Sequence, residues 1–174
     1  DYAAKGNLIK WNPAVKTAAD RDALRAGLLD GAVDVVATDH APHTLEEKER
    51  PYASAPSGGP LVQHSLPMML ELSAQGVLPV ETIVEKMCHA PARLFGVRDR
   101  GFLRTGHFAD IVLVRPADPW TVSKENILYK CGWSPLEGTA FSHRIVRTLV
   151  NGRTVYADGR VDTTHRGAEL EFDR

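Results

Sequence analysis

Cysteine, long hydrophobic runs and a charge excess of either sign are all scarce in this sequence. Its 174 residues contain two cysteines, Cys88 and Cys131, far apart and in no C-x-x-C spacing, which we interpret as reduced, buried thiols of a cytoplasmic protein. No apolar run approaches the roughly 18 residues of a membrane helix, and no signal-peptide pattern opens the chain. With a net charge of −1, nothing indicates a nucleic acid or a membrane as a partner.

What is present is an ordinary globular composition, with 43% hydrophobic and 25% charged residues. The length predicts one domain, or one and a fraction. The first residue is Asp1 rather than Met, so we expect the natural start of the protein to lie elsewhere.

The first part of the chain has the pattern of a βαβ unit. A short strand is predicted at 8–11, then an amphipathic helix at 20–30 with an Asp near its start as the cap and Gly31 at its end. A β-branched strand at 33–37 stops abruptly in the polar residues 38–43. In α/β barrels and doubly wound sheets the carboxyl ends of strands carry the chemistry, so this polar segment is the first candidate site.

A long loop at 45–60 follows the candidate site. Its first part contains the charged EEKER run, which we interpret as a solvated surface, and its second part is rich in Pro, Ser and Gly. Loops of this length are more often functional than idle. Helices are predicted after it at 63–75, 80–89 and 90–95.

After residue 97 the pattern changes to short strands separated by turns. Strands are predicted at 110–114, 145–150 and 154–156, with Asn151-Gly152 as a strong signal for a hairpin turn between the last two. We therefore divide the chain into an α/β body at 1–97 and a small β-domain segment with a C-terminal tail at 98–174.

The strongest chemical feature is Thr38-Asp39-His40-Ala41-Pro42-His43. A carboxylate at the end of a buried strand can ligate a metal ion and accept a proton from metal-bound water, whose pKa zinc lowers to about 7. The same residues also fit a turn-capping Asp followed by two solvated histidines. The residues alone leave both interpretations open.

This motif, followed by T-L-E-E-K, resembles the eighth-strand motif of dihydroorotases of the bacterial class-I type, within the amidohydrolase superfamily. Further segments resemble the same family in the same order along nearly the whole chain. They are Lys10-Trp11-Asn12-Pro13, Ala55-Pro56-Ser57-Gly58, and the segments 89–96, 106–114, 134–138 and 148–152.

The resemblance implies an α/β fold, namely the C-terminal part of a TIM-like (β/α)8 barrel, with its strands 7 and 8 and the following helices, plus part of a small β-sandwich. It implies a zinc-dependent cyclic amidohydrolase of pyrimidine biosynthesis, which reversibly hydrolyses the ring amide of L-dihydroorotate to N-carbamoyl-L-aspartate. It also implies a homodimer, with a possible association with aspartate transcarbamoylase.

The resemblance further implies a role for individual residues. Asp39 would be a metal ligand and the catalytic proton carrier, His43 would bind the substrate carboxylate, and Asn12 would contact the ring. Backbone groups from Pro56 to Gly58 would close over the substrate. His40 is expected to pack or to support the site rather than to ligate metal.

The remaining histidines and the tryptophans are expected to be structural. His64 and His89 lie at predicted helix ends, and His107 and His143 flank predicted strands and are expected to be exposed. The tryptophans, Trp11, Trp120 and Trp133, are expected to pack against other residues rather than to stack on a substrate.

The sequence departs from the family pattern in three places. Gly59-Pro60 stands where the pattern has a Gly and a Glu, and His89 replaces the usual Asn or Thr. The family's other metal ligands belong to the first six barrel strands, so Asp39 is the one ligand expected here. The resemblance implies two zinc ions in the complete enzyme. Because most ligands are missing here, we expect this fragment alone to be inactive. We also expect it to have an apolar face that the missing half or self-association covers.

Two alternatives stay open. One is a different cyclic amidohydrolase, such as a hydantoinase or an allantoinase, whose ring gives His43 no carboxylate to bind. The other is a non-catalytic dihydroorotase-like subunit that stabilises aspartate transcarbamoylase, although the presence of Asp39, His43 and Asn12 argues against it.

Overall fold

The computed structural model describes residues 1–173, apart from the side chain of Ala117. In this part of the chain a helical region comes first and an antiparallel sheet follows. The helices are α1 (Tyr2–Lys5), α2 (Ala18–Asp30), α3 (Leu45–Lys48), α4 (Ser65–Ala74), α5 (Val80–Val84) and α6 (Ala90–Phe95), and the strands are β1 (Ile111–Thr121), β2 (Ala140–Val150), β3 (Arg153–Ala157) and β4 (Arg160–Val161). Short 3-10 turns cover Gly6–Ile9, Val62–His64 and Lys124–Asn126, and a π-helical turn, Glu85–His89, joins α5 to α6.

Helix α2 begins and ends with specific capping residues. Thr17 accepts a hydrogen bond from the Asp20 amide, and the Asp20 carboxylate accepts one from the Thr17 amide. This reciprocal capping box satisfies two amides that helix geometry leaves unpaired. Gly31 ends the helix with a φ of 91°, as predicted, but the N-terminal cap is a Thr rather than the predicted Asp.

The two strands predicted at 8–11 and 33–37 are not formed. The first is largely a 3-10 turn, and the second runs extended without a ladder partner. Its amides donate instead to helical carbonyls, Val33 to Gly27 and Val36 to Lys86, and just beyond it a parallel bridge joins His40 to Gly59. A strand needs a neighbour that satisfies its amides and carbonyls, and residues 1–173 place no such strand beside these segments.

A small apolar core joins the helical region to the sheet. Met69, Leu70, Leu78 and Ile83 form its buried centre, and Val114 of β1 packs against it. The contact is reinforced by a polar tie, because the carboxylate of Glu71 on α4 accepts bonds from the Ser142 amide and hydroxyl on β2, at 2.9 and 2.7 Å.

The sheet is antiparallel, with the strand order β1-β2-β3-β4. Ile111 of β1 pairs with Leu149 of β2, and an irregularity after Leu113 shifts the register. The predicted hairpin turn is confirmed, since Asn151 and Gly152 both have positive φ, at 51° and 76°, as a type I′ turn requires. The strands are longer than predicted because pairing extends beyond the most apolar residues.

Several surface expectations need correction. Cys88 is exposed and Cys131 is half-buried, and both are free thiols, so the expectation of two buried thiols is wrong for Cys88. His107 and His143 are half-buried rather than exposed. Among the residues described, no helix has the length and apolar character that crossing a membrane requires.

Candidate functional site

The motif at 38–43 follows the extended segment that has no ladder partner, and it contains both exposed and half-buried residues. Asp39 is exposed, and its φ of 45° lies in the left-handed region, which a non-glycine residue adopts rarely. The carboxylate is therefore held at a sharp turn on an open surface of this chain.

His40 uses its ring to fix the start of the next segment. Its Nδ1 accepts hydrogen bonds from the amides of Leu61 and Val62, at 3.0 and 3.3 Å. A bond from the Ala41 amide to the Gly59 carbonyl, at 3.3 Å, ties the same two segments. His40 therefore joins the motif to the segment at 61–62, and its expected supporting role at the site stays a prediction.

His43 lies between the glycine-rich loop and α3. Its Nε2 is 3.1 Å from the Ser57 carbonyl oxygen, and its Nδ1 is 3.6 Å from the Glu47 carboxylate. Its own carbonyl accepts a bond from the indole nitrogen of the buried Trp133, at 2.8 Å. The imidazole is therefore positioned from both sides, directly beside the segment that the resemblance assigns to substrate closure.

The segment Pro56–Gly58 passes so close to its neighbours that glycine is required. Gly58 has a φ of 109°, and a Cβ there would stand 2.8 Å from both the Cβ and the carbonyl oxygen of Ala41. A Cβ on Gly59 would meet the Trp11 ring at 2.8 Å. The Gly58 amide donates to the Lys10 carbonyl at 2.9 Å, which places the loop two residues from the exposed Asn12.

Lys48 is a buried residue beside the candidate site that sequence reasoning missed. It is 1% exposed, so the interpretation of the whole EEKER run as a solvated surface is wrong at this position. Its Nζ donates to the carbonyl oxygens of Gly58 at 2.8 Å, Pro56 at 2.9 Å and Lys10 at 3.3 Å. Burial, and secondarily the charge of Lys10, lowers the pKa of the ammonium.

A sequence signal for this inward lysine exists in hindsight. Thr44 and Glu47 form a capping box that starts α3, and T-x-x-E is a recognised helix start. One helical turn from Thr44 brings Lys48 back to the same side of the chain.

A cavity of about 410 Å³ opens beside His43. Its walls come from the motif, from α3 and from a segment far along the sequence, namely His40, Pro42, His43, Thr44, Glu47 and residues 129–131. Tyr129 in this wall is half-buried, and burial raises its pKa to about 12. The structure thus brings His43 and the loop together, but Asp39 and Asn12 do not line this cavity.

The residues present do not suffice for a zinc site. Within residues 1–173 no group of three or more His, Cys, Asp or Glu side chains is placed to hold a metal ion. Zinc sites in enzymes use three protein ligands with an open position. Asp39 alone therefore does not fit the ion that the resemblance implies.

The sequence model of the Amidohydrolase family matches residues 6–155. The chain belongs to this family, which confirms the resemblance that the sequence motifs indicated.

Within the family, the chain is similar to curated proteins named dihydroorotase. The chain is 42% identical over 147 residues to a dihydroorotase of Pelobacter propionicus, covering 84% of this chain and 34% of the relative. It is 32% identical over 166 residues to a dihydroorotase of Pyrococcus furiosus, covering 95% and 38%. The chain thus spans about a third of the length of these curated relatives.

Solved structures give the same architecture. The L-hydantoinase (dihydropyrimidinase) from Arthrobacter aurescens superposes with a TM-score of 0.86 at 31% identity, over 93% of this chain and 37% of that one. A dihydropyrimidinase from Brevibacillus agri gives 0.81 at 25% identity, over 90% and 35%. The mixed helical and sheet fold is therefore that of hydantoinase-like amidohydrolases.

Proposed function

We propose that this chain is part of a dihydroorotase, and that the complete protein interconverts L-dihydroorotate and N-carbamoyl-L-aspartate. The similarity to proteins named dihydroorotase, at 32% to 42% identity over most of this chain, is the observation that carries the proposal. The position of His43, which lines the cavity and lies 3.1 Å from the Ser57 carbonyl, supports it.

We propose that residues 1–97 form the end of a (β/α)8 barrel and residues 98–174 part of a small β-sandwich. Support comes from the extended segment at 33–39, which has no ladder partner, and from large apolar side chains on the surface, such as Leu24 at 62% exposure and Phe95 at 63%. Both features fit a chain whose strands and apolar faces meet further residues of the same barrel.

We propose that Asp39 supplies one zinc ligand and that residues outside this chain supply the others, for two ions per site. Bound zinc would act as a Lewis acid and lower the pKa of water. In ring opening, the water oxygen adds to the amide carbon, the C–N bond breaks, and the ring nitrogen receives a proton. The exposed carboxylate of Asp39 is the group we assign to carry that proton.

We propose that substrate contacts divide between His43 and the loop. An imidazole and backbone groups from Pro56 to Gly58 suit a ring that bears a carboxylate, while Asn12 contacts the ring itself. A hydantoin or a dihydropyrimidine ring offers His43 no such anion. This difference separates dihydroorotase activity from that of the hydantoinases with similar structures.

The test is ring opening of L-dihydroorotate by the complete protein supplied with zinc, with dihydrouracil as the control substrate. Asp39→Asn should lower kcat by about 10²- to 10⁴-fold, the range for loss of a general acid–base group. Asp34→Asn, an exposed carboxylate five residues earlier, is the matched control and should retain activity. Equal turnover of both substrates, or an active Asp39→Asn protein, would contradict the proposal.

The resemblance alone motivates the remaining proposals. We propose that the complete protein is a cytoplasmic homodimer that takes a small-molecule substrate and associates with aspartate transcarbamoylase. Sedimentation of the purified protein, alone and with aspartate transcarbamoylase, tests the assembly. A monomer that does not shift in the mixture would contradict it.

A further inference from the structure

Lys48 is a buried cation whose ammonium is surrounded by carbonyl oxygens rather than by a carboxylate. It is 1% exposed, and no ion pair involving it is found within residues 1–173. Its three N–H donors face three backbone oxygens, those of Lys10, Pro56 and Gly58. Burying a charge is costly unless hydrogen bonds compensate, so these contacts are what allow the ammonium to lie here.

The three acceptors belong to two segments that have no ladder between them. Lys10 precedes the proposed ring-contacting Asn12, and Pro56 and Gly58 belong to the proposed closing loop. A backbone bond also joins them, from the Gly58 amide to the Lys10 carbonyl, at 2.9 Å. The Lys48 ammonium thus links the two segments further, because it donates to a carbonyl oxygen of one and to two carbonyl oxygens of the other.

A second lysine holds the outer part of the same loop. The Nζ of Lys10 donates to the carbonyl oxygens of Tyr52 and Ala55, both at 2.6 Å, and lies over the Tyr52 ring. Lys10 is half-buried whereas Lys48 is buried. The chain therefore offers a natural matched pair, in which one cation fixes residues 52–55 and the other fixes 56–58.

Helix α3 relates Lys48 to the proposed substrate-binding histidine. His43 immediately precedes Thr44, the cap of α3, and Lys48 is the last residue of that helix. The Ser57 carbonyl oxygen lies 3.1 Å from His43 Nε2. In the sequence, Ser57 stands between Pro56 and Gly58, whose carbonyl oxygens both accept hydrogen bonds from Lys48. A shift of this loop would therefore also move the partner of His43.

We propose that Lys48 is a positioning residue, whose ammonium holds Pro56–Gly58 against Lys10 and His43 in the conformation that receives substrate. This inference rests on the proposed function, because it assigns the held loop to substrate contact. Lys48 itself touches backbone oxygens and not the reacting atoms.

The experiment compares Lys48→Met and Lys10→Met in the complete protein, with the exposed Lys16→Met as a control for loss of charge. Hydrogen exchange of the Ser57 and Gly58 amides, without substrate, reports the tether directly. Steady-state kinetics with dihydroorotate reports its consequence. Lys48→Met should speed exchange at these amides by about tenfold or more, whereas Lys10→Met should act mainly at 52–55.

In kinetics, Lys48→Met should raise KM more than it lowers kcat, with a loss in kcat/KM of about 10²-fold, the order expected when a binding group moves by about 1 Å. Lys48→Arg keeps the charge and its donors and should recover part of the KM. If Lys48→Met does not fold, Lys48→Gln, which keeps one amide donor group, replaces it in both measurements.

Two results would overturn the inference. Exchange at Ser57 and Gly58 within about twofold of wild type, in a variant that melts earlier, would make Lys48 a general stability residue. Faster exchange with an unchanged KM would show that the loop is held but does not serve substrate. If the unaltered protein does not open dihydroorotate, the proposed function fails, and the exchange data still decide whether Lys48 tethers the loop.

Discussion

The sheet at 111–161 and the site-bearing segments at 10–60 satisfy their backbone polar groups in different ways. In the sheet, neighbouring strands bond to one another along a ladder. In the site, side chains do much of this work, since Lys48 and Lys10 donate to loop carbonyls and His40 accepts from loop amides.

This difference determines how each region should respond to substitution. A ladder of backbone bonds survives most changes of outward side chains, because the bonding groups are common to all residues except proline. A loop held by named side chains and close glycine contacts depends on each of them. We therefore expect single substitutions to be more damaging in the site than at comparable positions near the sheet.

Gly58→Ala should give the largest loss of stability. The alanine would have to adopt a positive φ, and its Cβ would overlap Ala41 at 2.8 Å. Backbone strain and overpacking together predict a loss of about 2–5 kcal/mol in the free energy of unfolding. Urea denaturation measures it.

Gly106→Ala is the matched control beside the sheet. Gly106 also has a positive φ, of 87°, but no atom lies within 4 Å of the added Cβ. Only the backbone cost of about 1–2 kcal/mol should remain. If the two variants lost equal stability, the contrast between the regions would be wrong.

Arg100→Met should lower the free energy of unfolding by less, about 1–3 kcal/mol, because it removes charge-assisted hydrogen bonds at one end of strands β1 and β2. Arg100, only 9% exposed, contacts the Asp110 carboxylate and donates to the Asn151 side chain at 2.9 Å. Its guanidinium also covers the Phe108 ring.

Thermal unfolding compared with Arg98→Met tests this prediction. Arg98 makes exposed ion pairs with Glu171 and Asp173, which should contribute less than about 1 kcal/mol. A larger loss in Arg98→Met would show that burial does not decide the strength of these pairs.

His64 should give the smallest effect, visible as a pH dependence. Its ring is fully buried, and this burial lowers its pKa. The unfolded chain takes up a proton on this imidazole below about pH 6.5 while the folded chain resists it, so stability is complete above that pH and declines as the pH falls, by at most about 1.4 kcal/mol per unit.

The measurement is the free energy of unfolding of wild type and His64→Gln at neutral and mildly acidic pH. The difference between the two proteins should shrink as the pH falls. Tyr129→Phe is the control, because it removes the hydroxyl 3.2 Å from His64 Nδ1 but leaves the ring buried. If that variant lost the pH dependence, the hydroxyl contact and not burial would be its cause.

Local signals predicted some elements well. The Asn151-Gly152 turn, the helix end at Gly31 and the first three sheet strands were expected near their observed positions. Each depends on residues close in sequence or on apolar patterns that the structure pairs within this chain. The strand at 33–37 had an equally clear pattern but did not form, because β-pairing needs a partner that residues 1–173 do not place beside it.

The candidate site was predicted only in part. The resemblance assigned both the motif at 38–43 and the loop at 55–58 to the substrate, and the structure places His43 Nε2 3.1 Å from the Ser57 carbonyl oxygen. The roles of all these residues stay predictions, and Asp39 and Asn12 do not line the cavity. Residues 129–131, in the cavity wall, were not anticipated, because no local pattern reveals a contact between segments so far apart in the sequence. The burial of Lys48 was not anticipated either, although the capping box of Thr44 and Glu47 marks the start of its helix.

By itself the sequence determined the family, the short-range turns and caps, and the residue types available for chemistry, because these depend on side-chain identity and local spacing. Only the tertiary structure decided which extended segments found partners, that Lys48 is buried, and that His43 faces the loop. Those outcomes depend on how distant segments compete for the same hydrogen-bonding groups and the same space, and that competition is settled only when the whole chain packs.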